Sequence, residues 1–248
     1  MRPLIVIPAR MGSSRLPGKP LADIAGRPMI LHVAERARVS GVGPVVVAAA
    51  EEDIAAVVRH AGYEAVLTAP DLPSGSDRVL EAARIVDPEE THDVIINLQG
   101  DLPLLRPRDL YRALLPLQDE AVDIGTLVAP VTSEEEAAAE SVVKTACSFG
   151  PEDEECARAL YFSRNIIPWG QGPLWHHVGI YAWRRTALNR FVSLTPSGLE
   201  QREKLEQLRA LEAGMTIGCA RIADAPLGVD TPADLEHVRR VAEEEGRS

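Results

Sequence analysis

The sequence predicts an α/β fold: a mainly parallel central sheet with helices on both faces, extended in its second half by a smaller antiparallel arm. Three observations lead there. Apolar runs alternate with helical patterns over the first 117 residues. The run Val94–Leu98 is uniformly apolar, as a strand covered on both faces must be. After about residue 120, strand patterns follow one another across long or acidic connections.

Taken in order, Leu4–Pro8 reads as a strand, Met29–Arg38 as a helix, Val45–Ala49 as a strand and Glu52–Ala61 as a helix. A short strand near Ala65–Leu67 precedes a helix over Val79–Ile85; Val94–Leu98 is the fourth strand and Leu110–Leu117 is again helical. This order implies right-handed crossovers and a site at the carboxyl edge of the sheet. Ile124–Val128, Val142–Ala146, Ala159–Phe162 and Val178–Trp183 are the antiparallel candidates. The chain closes with a helix around Lys204–Glu212, a strand around Thr216–Ile222 and a helix from Pro232 to Glu245. Thr231, Pro232 and Asp234 supply the N-cap, N1 and N3 signals of that last helix. No repeat or linker interrupts the pattern, so residues 1–248 read as a single domain.

The composition, 46% hydrophobic and 25% charged, is that of a globular protein. No apolar stretch approaches the ~18 residues of a membrane span. Arg2 and Pro3 run straight into a strand, so no signal peptide is expected. Cys147, Cys156 and Cys219 show no paired spacing and are expected as reduced thiols in the cytoplasm. A net charge of −11 argues against nucleic-acid binding but leaves room for an anionic ligand where the local field is positive. The acidic runs Glu134–Glu136, Glu152–Glu155 and Glu243–Glu245 read as solvated surface.

The local positive field lies in the loop after the first strand. Arg10, Arg15 and Lys19 fall within ten residues, between a strand and a helix, where α/β proteins build anion sites. A polyphosphate is the expected ligand. The loop is not a Walker A loop: five residues separate Gly12 from Gly18, and Pro20 stands where the metal-binding hydroxyl would be. Pro17 removes a backbone donor, and no G-x-G-x-x-G follows the strand. Phosphate must therefore be held largely by side-chain cations.

Two acids suit a metal-assisted transfer. Asp101 leaves the fourth strand in Asn97–Leu98–Gln99–Gly100–Asp101, and either meets magnesium bridging to phosphates or caps its turn. Asp230 precedes a helix that Thr231 already caps, so it is not needed for that purpose. Together with the cationic loop, the pair fits phosphoryl or nucleotidyl transfer. Arg78, in Ser74–Arg78 at a helix start, can grip a carboxylate, and His177 and Tyr181 can bond sugar hydroxyls. A surface ion pair, a satisfied edge histidine and a packed tyrosine remain the alternatives for these three.

These motifs together resemble the 3-deoxy-manno-octulosonate (Kdo) cytidylyltransferases, or CMP-Kdo synthetases. The resemblance runs through Ile7–Leu21, Ser74–Arg78, Asn97–Asp101, Leu160–Trp169, His177–Tyr181, Leu205–Arg209 and Gly228–Leu235. It implies a Rossmann-like nucleotidyltransferase fold with a dimerisation and sugar-binding sub-lobe within about 124–200, and a homodimer. It implies transfer of CMP from CTP to the C2 hydroxyl of Kdo, with magnesium, for lipopolysaccharide biosynthesis in the cytoplasm, without nucleic acid or membrane insertion. Carried onto matching positions, Ala9, Arg10, Arg15, Lys19, Ser74 and Gln99 would bind the nucleotide. Arg78, Gln99, His177, Tyr181, Glu206 and Gln207 would surround the sugar acid. Asp101 and Asp230 would bind magnesium and, with Lys19, carry catalysis. No histidine is placed as a general base, so the metal is expected to activate the hydroxyl.

Two positions depart from that family's pattern: Leu102 stands where an acid is common after Q-G-D, and Ala48–Ala50 where A-T-D is common. These departures bear on nucleotide contacts and sugar choice, so 8-amino-Kdo or another sugar acid is the alternative acceptor. A non-catalytic nucleotide-binding relative is the other alternative, against which Lys19, Asp101 and Asp230 stand together.

Overall fold

The computed structural model describes residues 1–13, 15–150 and 154–245; Ser14 of the cationic loop and part of the Glu152–Glu155 run lie outside the described residues. The chain groups into two compact units, Met1–Leu110 with Pro226–Ser248, and Tyr111–Ala225.

In the first unit the strands lie in the order Glu64–Leu67, Val45–Ala49, Pro3–Ala9 and Val94–Asn97. Each neighbouring pair is parallel, with Ile7 opposite Val47 and Ile5 opposite Ile96. Ile5, Val6 and Ile7 are 0% exposed in succession. Since the pleat sends successive side chains to opposite faces, neither face of this strand meets water. Each such aliphatic side chain contributes roughly 1.5–3 kcal/mol on burial. The helices Met29–Val39, Glu52–His60, Gly75–Val86 and Pro232–Glu245 complete the unit.

All four parallel strands therefore deliver their carboxyl ends to one edge, and the loops that follow Ala9, Ala49, Leu67 and Asn97 gather there. Gly100 allows the turn after the fourth strand: a Cβ there would lie 3.1 Å from the Pro8 carbonyl oxygen. Gly18, at φ 71°, makes the left-handed turn into the short 3-10 helix Lys19–Leu21.

The last helix begins as its sequence signals. Asp234 N donates to Thr231 Oγ1 at 3.2 Å, while Asp234 Oδ2 accepts from the Thr231 amide at 2.8 Å. Leu235 and Val238 then pack with Val229, Ile24 and Met29, fixing the approach of the Gly228–Asp230 segment.

The second unit is mixed. Its strands run in the order Trp175–Arg184, Ile124–Pro130, Ile217–Arg221, Cys156–Ser163 and Lys144–Cys147. Ile124–Pro130 and Ile217–Arg221 are parallel, and the other neighbours antiparallel. Lys144 pairs back to His176, so the pairings close into a ring.

Several elements differ from the sequence expectation. The helix expected around Lys204–Glu212 begins only at Gln207, and a separate short helix, Gly198–Glu203, precedes it, because Lys204 takes a left-handed conformation at φ 59° between the two. A capping box, Ser197 with Glu200, starts the first of them. The Leu110–Leu117 segment is helix only at Pro107–Arg112, with a separate 3-10 turn at Leu115–Gln118 where Pro116 lacks a donor. The Arg185–Val192 helix and the Asp23–Ile24/Arg27–Pro28 ribbon were not signalled by periodicity. In the acidic run Glu134–Glu136, Glu136 is not merely solvated: it accepts from Thr132 N at 2.9 Å and lies 3.0 Å from His176 Nδ1.

Candidate active site

At the carboxyl edge of the parallel sheet lies a cavity of about 520 Å³, lined by Ala9, Arg10, Arg15 and Lys19 of the cationic loop. Ser74, Arg78, Gln99, Asp101 and Asp230 line it as well, so nine of the expected positions meet in one pocket of the first unit.

Lys19 is its organising charge. Nζ donates to Asp101 Oδ2 at 2.8 Å, to the Val229 carbonyl at 2.9 Å and to Asp230 Oδ1 at 3.2 Å. Its three N–H donors thus draw two carboxylates from distant segments onto one point. Arg15 reaches the other oxygen of Asp230 at 3.2 Å, with both side chains at least half exposed, so this ion pair adds little stability. Lys19 can meet phosphate only by exchanging one of these three partners.

The Gly75–Val86 helix presents its positive end to the pocket through Ser74 and Gly75. Ser74 is the N-cap: Oγ accepts from Asp77 N at 3.3 Å and donates to Asp77 Oδ2 at 2.6 Å. Gln99 Nε2 donates to the buried Asn97 Oδ1 at 3.1 Å. That bond leaves the Gln99 carbonyl oxygen for a ligand.

Arg78 is 3% exposed. Its Nη1 donates to Thr68 Oγ1 at 2.5 Å and to the Ala69 carbonyl at 3.0 Å, and Nη2 to the Pro70 carbonyl at 3.3 Å. Burial and then the positive charge of Arg10 pull it below the ordinary guanidinium value, while Glu51 and Glu81 oppose this. Part of Arg78 therefore braces the 68–70 loop beside the pocket.

Sequence reasoning missed two supports. Glu51 Oε2 accepts the Met11 amide at 3.1 Å, holding the cationic loop to the end of the second strand. Asp234 Oδ2 accepts the Asp230 amide at 3.1 Å, and hydrogen bonds from Thr231 outweigh burial to hold this carboxyl below the usual range. The capping pattern around Thr231 was the legible signal for the second. For Glu51 the only signal was its place just beyond a strand.

Among the described residues no three His, Cys, Asp or Glu side chains come together as a metal-binding group. Two carboxylates alone suit a hard cation that keeps water and takes its remaining oxygens from phosphates, so Asp101 and Asp230 fit magnesium.

The two positions that depart from the resembled pattern carry packing. Leu102 is 8% exposed, and Ala48 and Ala49 are 0% exposed. None of the three is among the residues lining the cavity.

His177, Tyr181, Glu206 and Gln207 belong to the second unit. The His177 and Tyr181 rings lie 5.5 Å apart, and Phe162 meets His177 edge-on at 4.8 Å. Burial, then the neighbouring His176, push His177 down to about 3, so it is a neutral imidazole. Burial raises Tyr181 above its ordinary value, and the Glu206 carboxylate adds to this. Glu206 precedes the Gln207–Glu212 helix, 3.8 Å from Arg209, and Gln207 is buried at the helix start.

The cytidylyltransferase family matches residues 4–217 of the chain. The 3-deoxy-manno-octulosonate cytidylyltransferase of Parvibaculum lavamentivorans is 62% identical over 237 residues, covering 96% of this chain and 91% of its own length. That of Methylobacterium nodulans is 59% identical, covering 96% of each chain. A solved structure of CMP:2-keto-3-deoxy-manno-octonic acid synthetase complexed with CTP superposes with a TM-score of 0.88 at 43% identity, covering 99% of this chain and 100% of that one. The chain belongs to the 3-deoxy-manno-octulosonate cytidylyltransferases.

Proposed function

We propose that this protein transfers CMP from CTP to the anomeric C2 hydroxyl of Kdo, releasing pyrophosphate and supplying CMP-Kdo for lipopolysaccharide biosynthesis. The observation that carries this reading is the joining of Asp101 and Asp230 by Lys19 inside a cavity walled by Arg10 and Arg15. The relatives named above support the choice of nucleotide and acceptor.

Both reactants are anions, so the chemistry asks chiefly for alignment and charge neutralisation. Arg10, Arg15 and the amino end of the Gly75–Val86 helix receive the triphosphate. Ala9, Ser74 and Gln99 shape the nucleotide's side of the pocket. Lys19 keeps the two carboxylates converged and brings a positive charge to the α-phosphate. Asp101 and Asp230 would hold magnesium, which when bound would neutralise phosphate charge and lower the pKa of the attacking hydroxyl. Arg78, Gln99, His177, Tyr181, Glu206 and Gln207 position the sugar acid. The hydroxyl oxygen of the acceptor bonds to the α-phosphorus as the bond to pyrophosphate breaks, and the hydroxyl proton passes to solvent.

The first unit is the Rossmann-like half of this enzyme, which acts in the cytoplasm. Among the described residues no helix is long and apolar enough to cross a membrane. The three cysteines are unbridged. A homodimer formed through the second unit accounts for the exposure there of Leu160, Ile166 and Trp169, the last at 99%.

Pyrophosphate release with CTP, magnesium and either Kdo or 8-amino-Kdo tests the reading, with Asp101→Ala as control. Kdo-dependent release lost in the variant is the expected result. Release with 8-amino-Kdo alone moves the acceptor and keeps the chemistry, whereas no release with either sugar overturns the proposal.

A further inference from the structure

The strand that carries His177 and Tyr181 is irregular where it matters. Against the Ile124–Pro130 strand, Val178 lies opposite Leu127 but Tyr181 lies opposite Thr126, so Gly179 and Ile180 are extra residues. In a regular strand, residues four apart are separated by about 13 Å. The bulge shortens that span and helps bring the two rings within 5.5 Å.

It also turns two carbonyls onto Thr126, which is 0% exposed. Thr126 Oγ1 lies 2.8 Å from the Ile180 carbonyl oxygen, 3.3 Å from that of Val178 and 3.0 Å from His177 Nε2. A carbonyl has no proton to give. At 2.8 Å the single hydroxyl proton of Thr126 must therefore point at Ile180. Only lone pairs remain to face the imidazole, so Nε2 must be the protonated nitrogen. A neutral ring carries one ring proton, which leaves Nδ1 as a bare acceptor. Among the described residues the His177 ring has no other hydrogen-bond partner, its backbone amide being given to the Val143 carbonyl at 2.8 Å.

We infer that Thr126 is a positioning residue: it locks His177 in the Nε2–H tautomer so that Nδ1 accepts a hydrogen bond from a hydroxyl of the acceptor sugar. The second half of this inference rests on the placement of the sugar acid beside His177 given above. The first half does not. It also assigns the kind of group read there. A bare imidazole nitrogen repels a carboxylate and welcomes a hydroxyl, so His177 reads the polyol part of the substrate and leaves its acid group to cationic side chains. The bulge, Thr126 and His177 then form one device, in which the irregular strand supplies the carbonyl that dictates the proton's position.

Two variants separate this role from packing. Thr126→Val keeps the shape and removes the hydroxyl, and Thr126→Ser restores the hydroxyl without the methyl group. Nitrogen-15 spectra of the imidazole ring in the wild-type protein should show a protonated Nε2 and an unprotonated Nδ1 at neutral pH. In Thr126→Val the two tautomers should mix, and KM for Kdo should rise about tenfold with KM for CTP unchanged, the size of one lost hydrogen bond. Thr126→Ser should recover both readouts. An Nδ1–H signature in the wild type, or an unaltered tautomer in Thr126→Val, overturns the inference. If the wild-type protein fails to use Kdo at all, the proposed reaction falls, while the ring spectra still decide what Thr126 does.

Discussion

The amide of Val229 donates to the carbonyl of Asp101 at 3.0 Å, fastening the loop that carries Asp230 to the loop that carries Asp101. The two acids are 129 positions apart in sequence, yet their backbones are joined before any side chain is considered. Lys19 adds a second fastening, since its ammonium binds the Val229 carbonyl as well as both carboxylates. The pocket is thus preorganised by main chain first and charge second.

Because the backbone holds the loops, removing one charge should harm chemistry more than folding. Asp230→Asn is expected to lower pyrophosphate release by at least roughly a hundredfold, the usual loss of one electrostatic group in a transfer site. Its far-ultraviolet circular dichroism and melting temperature should stay near the wild type. A variant that melts much earlier would show that Asp230 is chiefly structural.

Lys19→Met should behave differently. It leaves Asp101 and Asp230 facing one another with only the exposed Arg15 beside Asp230, and like charges at that range destabilise. We expect a melting temperature several degrees lower at low ionic strength, part of it recovered when magnesium is added to the enzyme without nucleotide. Recovery with sodium at equal ionic strength would instead point to general screening.

Leu102 offers a sharper contrast. Its Cδ2 lies 3.7 Å from where a Cβ on Gly228 would be, so it packs over the segment leading to Asp230. An acid here would be buried at 8% exposure without a partner built for it. Leu102→Glu is therefore expected to destabilise the fold by about 1–3 kcal/mol in urea unfolding. A variant as stable as the wild type would mean that the added carboxylate finds a cation in the pocket.

How much of this could be read in the sequence follows from the range of each interaction. The parallel half was legible because buried strands such as Val94–Asn97 announce themselves by continuous apolarity, and the last helix because its capping box lies within four residues. The cationic loop was legible as charge, and Asp101 as an acid after a glycine turn. Lys19 as the clasp between Asp101 and Asp230 was not, since that contact depends on where three loops end in space. Thr126 gave no signal at all. Its importance arises from a register slip 52 to 54 residues away, at Val178–Ile180, which no local pattern encodes. The break at Lys204 was missed because a lysine favours a helix interior, and only the capping geometry of two short helices places it in the left-handed region.

The burial of His177 has a thermodynamic signature. Its folded value, about 3, lies below the 6.5 of an ordinary imidazole. Below pH 6.5 the unfolded chain binds a proton that the native chain refuses, so stability falls as the pH falls and levels off only below about 3. The full contribution is thus present above pH 6.5, and between these limits the slope attributable to His177 is about 1.4 kcal/mol per pH unit. His177→Gln removes the titration and retains a polar side chain that can face Thr126. Urea unfolding of the two proteins at pH 7.0, 6.0 and 5.0 isolates the difference, because every other titrating group is common to both. The variant should be the less stable at pH 7 and should lose its disadvantage as the solution is acidified. Curves that run parallel over this range would mean that the ring takes up a proton within the fold, and the neutral imidazole on which the Thr126 contact depends would have to be abandoned.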